Sequence, residues 1–527
     1  MHIYSTLFIA QTVDEELRTE EGLKKAVDWC RASKLHKVYI ESFRDGLFVD
    51  KDLLIKVRDR FIREGFTAHG CVTTSHLPKP SNNWPDACCY TNRATREMLR
   101  EIFERTAEVF DVIMVDDFLF TDCTCEECTK AKGDRSFDDY HSDVTHEVSK
   151  EYILAPAHRV NPGCKVIIKY PLWYEDYHKN GYDTLRQTEA FDAIWIGNET
   201  REPDASFWGR FPQTNVFYVM EWANKLGHGK CLGGWFDPYS TKPETYLDQA
   251  IMTILGKSGE TMLYSYDTLK ENVGNPEVLD ANYYPGADDT EAFRKARNSL
   301  DRLADLIENK KIKGVSVPKQ PHHDAVKERF LSSYYGLIGI PVSPDTELAA
   351  DAPSVILGTQ AENYPGIREF IAKRTEDGKP TVITKGLEEA LGITGKHVID
   401  ISENYSGKDD FDPTDCWNIT RIPEDIMDPV RDYLTKPLGL VFRSPARVTL
   451  NLYDDDMEVI GNLNNEEVTV TLDLSGRDPR ERNIILTLTE DKVPALSYDG
   501  KKYTLTIPAR TYVVLGPADI ADRSIGF

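Results

Sequence analysis

"VIMVDDFLFTDCTCEECTKAKG" (residues 112–133) decides how the rest of the chain is read. It opens as a short apolar run of the kind that fills a strand buried on both faces. It then ends on two adjacent acids, Asp116 and Asp117, and six residues later reaches a C-x-C-x-x-C cluster. A strand buried on both faces needs neighbours, and similar β-rich runs stand at 3–10, 37–42, 66–73, 164–170, 193–198, 231–236 and 261–266. Amphipathic stretches separate them, such as "TREMLREIFERTAEVF" (95–110), whose apolar positions recur at three and four. Eight βα units in about 300 residues fit a closed (β/α)₈ barrel, which takes ~250 residues plus insertions.

The seventh strand requires a choice. In "TNVFYVMEWANKLGHGK" (214–230), Val216, Val219, Met220, Ala223 and Leu226 keep a helical period that "GHG" stops. Glu221 therefore belongs to a helix, the strand is "CLGGWF" (231–236), and Asp237 takes its C-terminal end. A strand over 216–221 is the competing reading, and it would make Glu221 a candidate instead.

Beyond a charged helix over about 288–310, a second α/β pattern follows. It runs through "IKGVSV", a helix in "AVKERFLSSYYGLIG", "SVILGT", a helix in "YPGIREFIAKR", and "PTVITKG". From about 440, period-two runs separated by Asn, Asp and Gly turns indicate an antiparallel β-sandwich. The expected organisation is a catalytic barrel over 1–310, a small parallel α/β domain over 311–436 and a β-sandwich over 437–527.

Composition narrows the partners. The 527 residues carry a formal charge of −24 with no concentrated basic patch, which disfavours nucleic acid and anionic membrane surfaces. No apolar stretch approaches the ~20 residues that cross a bilayer, and "MHIYSTLFIAQT" lacks the features of a secretory signal, leaving cytoplasm and periplasm both open. Ten irregularly spaced cysteines suit a reduced compartment or a metal site better than a disulfide scaffold. A homo-oligomer stays possible.

Reacting groups of such a barrel sit where its strands end, and those positions are acidic here. They include Glu41, Asp116, Asp117, Glu175, Glu199, Asp237 and Asp267. Cleaving a glycosidic bond needs two carboxyl groups, one to protonate the leaving oxygen and one to attack or to activate water. The aromatics Tyr170, Trp173, Tyr174, Trp208, Trp235 and Tyr239 share these loops, where rings can stack on the C–H face of a sugar while acids and Arg201 meet its hydroxyls. Each of these residues has a plain alternative as a solvated loop acid or as packing over the barrel end. Cys123, Cys125 and Cys128, with Cys89 or Cys88 from the preceding loop, can close four thiolates on a structural zinc that pins the acid-bearing loop. The expected set uses Cys89.

The acid pair at strand four, the following C-x-C-x-x-C and a cysteine in the previous loop resemble the glycoside hydrolase family 42 β-galactosidases. That resemblance implies a barrel followed by a flavodoxin-like domain, similar to a glutamine amidotransferase, and then a β-domain. It also implies glycosidase chemistry, without β-galactoside specificity and without an organic cofactor. The family has Asn-Glu at strand four, where this chain has Asp116 and Asp117, and a Glu ending strand seven, where this chain has Asp237. "GNETRE" and "GGWFDPY" are similar to strings of uncharacterised barrel hydrolases of the same clan.

Asp117 is thus expected as acid/base with Asp237 as nucleophile or its orienter, and Glu199 as the second choice of partner. In the variant order, Asp117 attacks and Glu199 donates the proton. Expected substrate contacts are Glu41, Tyr170, Trp173, Arg201, Trp235 and Asp267. The rival reading is a barrel that binds carbohydrate without cleaving it. A zinc amide or ester hydrolase lacks support, because His69 and His76 lie near strand three in no H-x-H or H-E-x-x-H motif.

Overall fold

The computed structural model describes residues 1–205, 209–323, 327–454, 456–477, 480–489 and 493–517, so Trp208 lies outside the described residues. Besides a two-residue strand, Leu47–Phe48, that pairs antiparallel with the end of Lys37–Arg44, the first sheet has eight strands: β1 (Ile3–Phe8), β2 (Lys37–Arg44), β3 (Thr67–Val72), β4 (Val112–Val115), β5 (Lys165–Tyr170), β6 (Ala193–Gly197), β7 (Cys231–Phe236) and β8 (Glu260–Leu263). All pair in parallel in chain order, and β1 pairs with both β2 and β8, so the sheet closes into a barrel. Residues 214–227 form the expected helix, with Glu221 buried on it beside Lys225.

One apolar cluster fills the barrel, and every strand contributes to it: Leu7, Tyr39, Cys71, Met114, Ile167, Trp195, Trp235 and Met262. Side chains alternate along a strand, so these residues fix which later positions face the axis. The larger cluster on the outer side packs the barrel against its helices.

The second unit is a parallel sheet in the order Val342–Asp345, Val315–Pro318, Val355–Leu357, Thr381–Thr384, Val398–Ile399. This is the 2-1-3-4-5 order of flavodoxin-like folds. Two details differ from expectation. The run "IKGVSV" splits at Gly314: Ile312–Lys313 pair antiparallel with Val448–Tyr453, and only Val315–Pro318 joins the parallel sheet. The helix expected through 325–339 is a 3₁₀ segment, Leu331–Leu337, because left-handed backbone at Glu328 and Phe330 interrupts an α-helix before it can form; residues 325 and 326 lie outside the described residues. The C-terminal strands make two antiparallel sheets whose apolar faces share one cluster that includes Leu450, Val470, Leu505 and Val513.

Glycines in β7 let the barrel close over a large ring. A Cβ on Gly233 would stand 2.5 Å from the Trp195 indole, and one on Gly234 would stand 2.1 Å from the Asn198 amide. Gly233→Ala should therefore cost about 1–3 kcal/mol by overpacking, since Trp195 is fully buried with no room to shift. Equilibrium denaturation measures this, and an unchanged midpoint would contradict the packing described.

Candidate active site

Continuing the alternation two residues beyond the apolar plug gives the next layer: Glu41 on β2, Thr73 after β3, Asp116 after β4, Lys169 on β5 and Tyr264 after β8. At its centre is Lys169, buried at 1% exposure. Its ammonium donates to Asp117 Oδ2 at 2.8 Å and Glu199 Oε1 at 2.9 Å, and lies 3.6 Å from Asp116 Oδ1. The same ammonium stands 3.6 Å from the centroid of the Trp235 ring, whose Nε1 donates to Glu199 Oε1 at 2.5 Å. Glu199 folds back against Gly197, where a Cβ would come within 2.5 Å of its carboxylate.

A second cation completes the layer. Arg44 donates to Glu41 Oε2 at 2.8 Å and to Asp116 Oδ2 at 3.2 Å, while the Thr73 hydroxyl donates to Glu41 at 2.5 Å. The Ala10 amide also binds Glu41. On the β6–β7 side Arg201 grips both oxygens of Asp237, at 3.0 and 2.7 Å, and the Tyr239 amide adds a bond to the first of them. Tyr264 packs its ring on Trp235. Asp267 accepts from the Ser265 hydroxyl in the short helix after β8.

These contacts push the carboxyls apart in acidity. Burial, together with the neighbouring charges of Asp116 and Glu199, holds the Asp117 carboxyl well above the ordinary range despite Lys169. Burial works the same way on Asp116, but Lys169 and Arg44 outweigh it and keep that carboxyl below the usual value. Burial also disfavours the Lys169 ammonium, yet Asp117, Glu199 and Asp116 more than compensate and hold it protonated. Asp117 is 20% exposed against 3% for Asp116, so Asp117 is the member of the adjacent pair that an incoming ligand meets.

Several expected residues are placed elsewhere. Tyr170 was expected to touch substrate, but it is fully buried and bonds the Thr188 hydroxyl. The reason is parity: Lys169 faces the axis, so its neighbour faces the helices. Tyr174 and Glu175 are likewise buried, bonded to Ser333 and the Phe330 amide respectively, and burial raises the Glu175 carboxyl to about 8. Trp235 is 3% exposed and lies beneath the acids as their support. Trp173 is half-buried, edge-on to Phe120 at 5.5 Å. Lys169, Arg44, Thr73 and Tyr264 were not among the expected residues. A lysine at an axis-facing position at a strand end was the signal that could have found Lys169.

The four cysteines converge. Cys89, Cys123, Cys125 and Cys128 present sulfurs within 4.8 Å of one another. Cys89 stands 3.8 Å from Cys125 and 3.6 Å from Cys128, and Cys125 stands 3.7 Å from Cys128. A tetrahedron of Zn–S bonds of ~2.3 Å has sulfur–sulfur edges of about 3.8 Å, so the donor set fits a closed zinc site. Cys88 points away, to the Thr74 carbonyl.

A barrel whose mouth gathers paired carboxyls around a buried cation defines, as a class, a glycoside hydrolase. Residues 1–298, more than half of the chain, match the family model described as "Probable glycosyl hydrolase, catalytic domain", and the chain belongs to that family. An uncharacterized protein of Saccharolobus solfataricus is 24% identical over 415 residues, covering 72% of this chain and 67% of that protein. Among solved structures, a catalytic mutant of Gan42B, a GH42 β-galactosidase from G. stearothermophilus, aligns over 98% of both chains with a TM-score of 0.60 at 12% identity. The apo exo-carrageenase GH42 from Bacteroides ovatus aligns over 96% of this chain and 80% of that one with a TM-score of 0.50 at 8% identity. At such identities the likeness is one of fold, and it extends through the C-terminal sheets. Among the described residues no helix is long and apolar enough to cross a membrane.

Replacing Lys169 by Met would leave buried carboxylates without their cation, a change of about 3–5 kcal/mol. Its pH dependence has a definite sign. A carboxyl with a raised folded pKa keeps a proton that the unfolded chain has released, so stability falls as pH climbs from ~4 through the raised value. Lys169→Met removes the charge that opposes this rise at Asp117, so its loss should be larger at pH 8 than at pH 5. Denaturation at both values tests this, and a loss independent of pH would contradict the charge assignment.

Proposed function

We propose that the chain cleaves glycosidic bonds of an oligosaccharide or glycoconjugate, with Asp117 as acid/base and Glu199 as nucleophile. The observation that carries this is the single Lys169 ammonium bonded to both carboxyls. Asp117 has the raised pKa that a proton donor needs and is the more exposed of the two. Glu199 accepts two hydrogen bonds on Oε1, from Lys169 and Trp235, which fix its direction. Asp237 is a weaker nucleophile candidate because Arg201 holds both its oxygens; its role is to orient Arg201 toward the substrate.

The order of events follows from this arrangement. A sugar enters with its glycosidic oxygen toward Asp117 and its anomeric carbon over Glu199. Asp117 protonates the leaving oxygen as Glu199 forms the glycosyl ester, and Asp117, now a carboxylate, then takes a proton from the water that hydrolyses it. Two bonds of 2.8 and 2.9 Å that meet at one nitrogen keep the nearest oxygens of the two carboxyls within about 6 Å, which accommodates the ~5–5.5 Å separation of retaining enzymes. Retention of anomeric configuration is therefore expected.

Asp117→Asn and Glu199→Gln should each abolish release of sugar from a panel of aryl glycosides and oligosaccharides, while the melting temperature stays near that of the parent. Activity near the parent's in either variant would remove that residue from the reaction. NMR of the first-formed anomer tests retention, and an inverted product would contradict the assigned pair.

Zinc in the Cys89, Cys123, Cys125 and Cys128 site belongs to the same proposal as a structural ion that fixes the loop following Asp117. The expected outcome is about one zinc per chain and a lower melting temperature with chelator or in Cys128→Ser. Metal analysis that finds none, with no chelator effect, would retire it. The domain boundaries near 310 and 436 also remain part of this proposal.

A further inference from the structure

One helix, Pro243–Leu255 after β7, touches the reacting segment at three places spaced four residues apart. The Thr245 hydroxyl donates to Glu202 at 3.2 Å, the Gln249 side chain accepts from the Arg201 amide at 3.1 Å, and the Thr253 hydroxyl accepts from the Asn198 side chain at 2.9 Å. Gln249 also donates to the Asp237 carbonyl at 3.2 Å. Positions 245, 249 and 253 share one face of a helix, so the 198–202 segment, which carries Glu199 and Arg201, is held along a single ridge.

A neighbouring face of the same helix is gripped from outside the barrel. The Tyr512 hydroxyl donates to Asp248 Oδ1 at 2.9 Å, and the Tyr453 hydroxyl donates to the Leu255 carbonyl at 2.6 Å. Arg510 and Gln213 donate to the other Asp248 oxygen at 3.4 and 3.1 Å. Tyr453, Tyr512, Asp248 and Gln249 are all nearly or wholly buried. Both tyrosines come from strands of one C-terminal antiparallel sheet, Val448–Tyr453 and Thr511–Pro517, so that sheet holds the helix at its middle and at its end.

We propose that the C-terminal sheet is a positioning element of the active site: Tyr512 and Tyr453 fix the helix whose Thr245, Gln249 and Thr253 hold Glu199 and Arg201 in register. The kinetic consequence rests on the glycosidase reading above, whereas the structural consequence does not. Small displacements of a reacting group cost large factors in rate, which is why a remote brace matters to turnover. Tyr512, Tyr453 and Gln249 are positioning residues, and none of them touches substrate.

The test uses the full chain carrying Tyr453→Phe and Tyr512→Phe together, which removes two hydroxyls and keeps both rings packed. Leu505→Ala, in the apolar cluster of the same C-terminal unit, serves as the control for general weakening. For the double variant, kcat should fall roughly tenfold or more with KM within about twofold. Amide hydrogen exchange at 198–202 should rise severalfold. Leu505→Ala should lower the melting temperature and leave both readouts alone, and Asp248→Asn, which keeps an acceptor for Tyr512, should retain more turnover than Asp248→Ala. Unchanged exchange at 198–202 in the double variant, an equal rise in Leu505→Ala, or unchanged kcat despite faster exchange would each overturn the proposal. Failure of the catalytic reading shows separately, as a parent protein that hydrolyses no glycoside, and the exchange measurement then decides the brace by itself.

Discussion

A lysine ammonium taken out of water at the end of a barrel strand is tolerable only if carboxylates replace the solvent, and three of them surround Lys169. The dependence runs both ways. Asp116, Asp117 and Glu199 come from two different strand ends and would repel one another without the cation between them. Arg44 repeats the device for Glu41 and Asp116, and Arg201 does so for Asp237. Three cations against six carboxyls, counting Glu41 and Asp267, leave the mouth short of positive charge, and burial there raises the Asp117, Glu41 and Asp267 carboxyls above the ordinary range.

The barrel supplies this arrangement through strand periodicity. Six of the eight strands, all but β1 with Ile9 and β6 with Gly197, place an apolar residue in the plug and, two positions later, a polar residue in the layer above it, so the low-dielectric floor and the charged mouth belong to one pattern. Trp235 joins the layers: its ring lies against the Lys169 ammonium while its N–H holds Glu199. The loop after Asp117 ends in the cysteine cluster, and the Tyr182 hydroxyl binds the Asp117 carbonyl at the near end.

Much of this was legible in the sequence, for physical reasons. Buried parallel strands are continuous apolar runs, so all eight could be located, and the helical period of 214–227 placed Asp237 after "CLGGWF". Thiolate spacing identified the cysteine cluster because few other structures need C-x-C-x-x-C. The cations were not legible in the same way, because attention to the residue after each strand passes over those still within it, such as Lys169 and Arg44. Tyr170 was misplaced for the complementary reason: a strand end exposes only one parity to the mouth, and Tyr170 has the other. That Asp117 shares its cation with Glu199 and not with Asp237 is a matter of geometry, on which sequence distance carries no information.

The most direct test is a ¹³C NMR titration of the Asp117 side-chain carboxyl in the parent and in Glu199→Gln. The account predicts that Asp117 titrates well above the ordinary aspartate range in the parent, and that removing the Glu199 charge moves it down toward that range. An Asp117 that titrates at the ordinary value, or one that ignores Glu199→Gln, would contradict a cation shared by the two carboxyls at the barrel mouth.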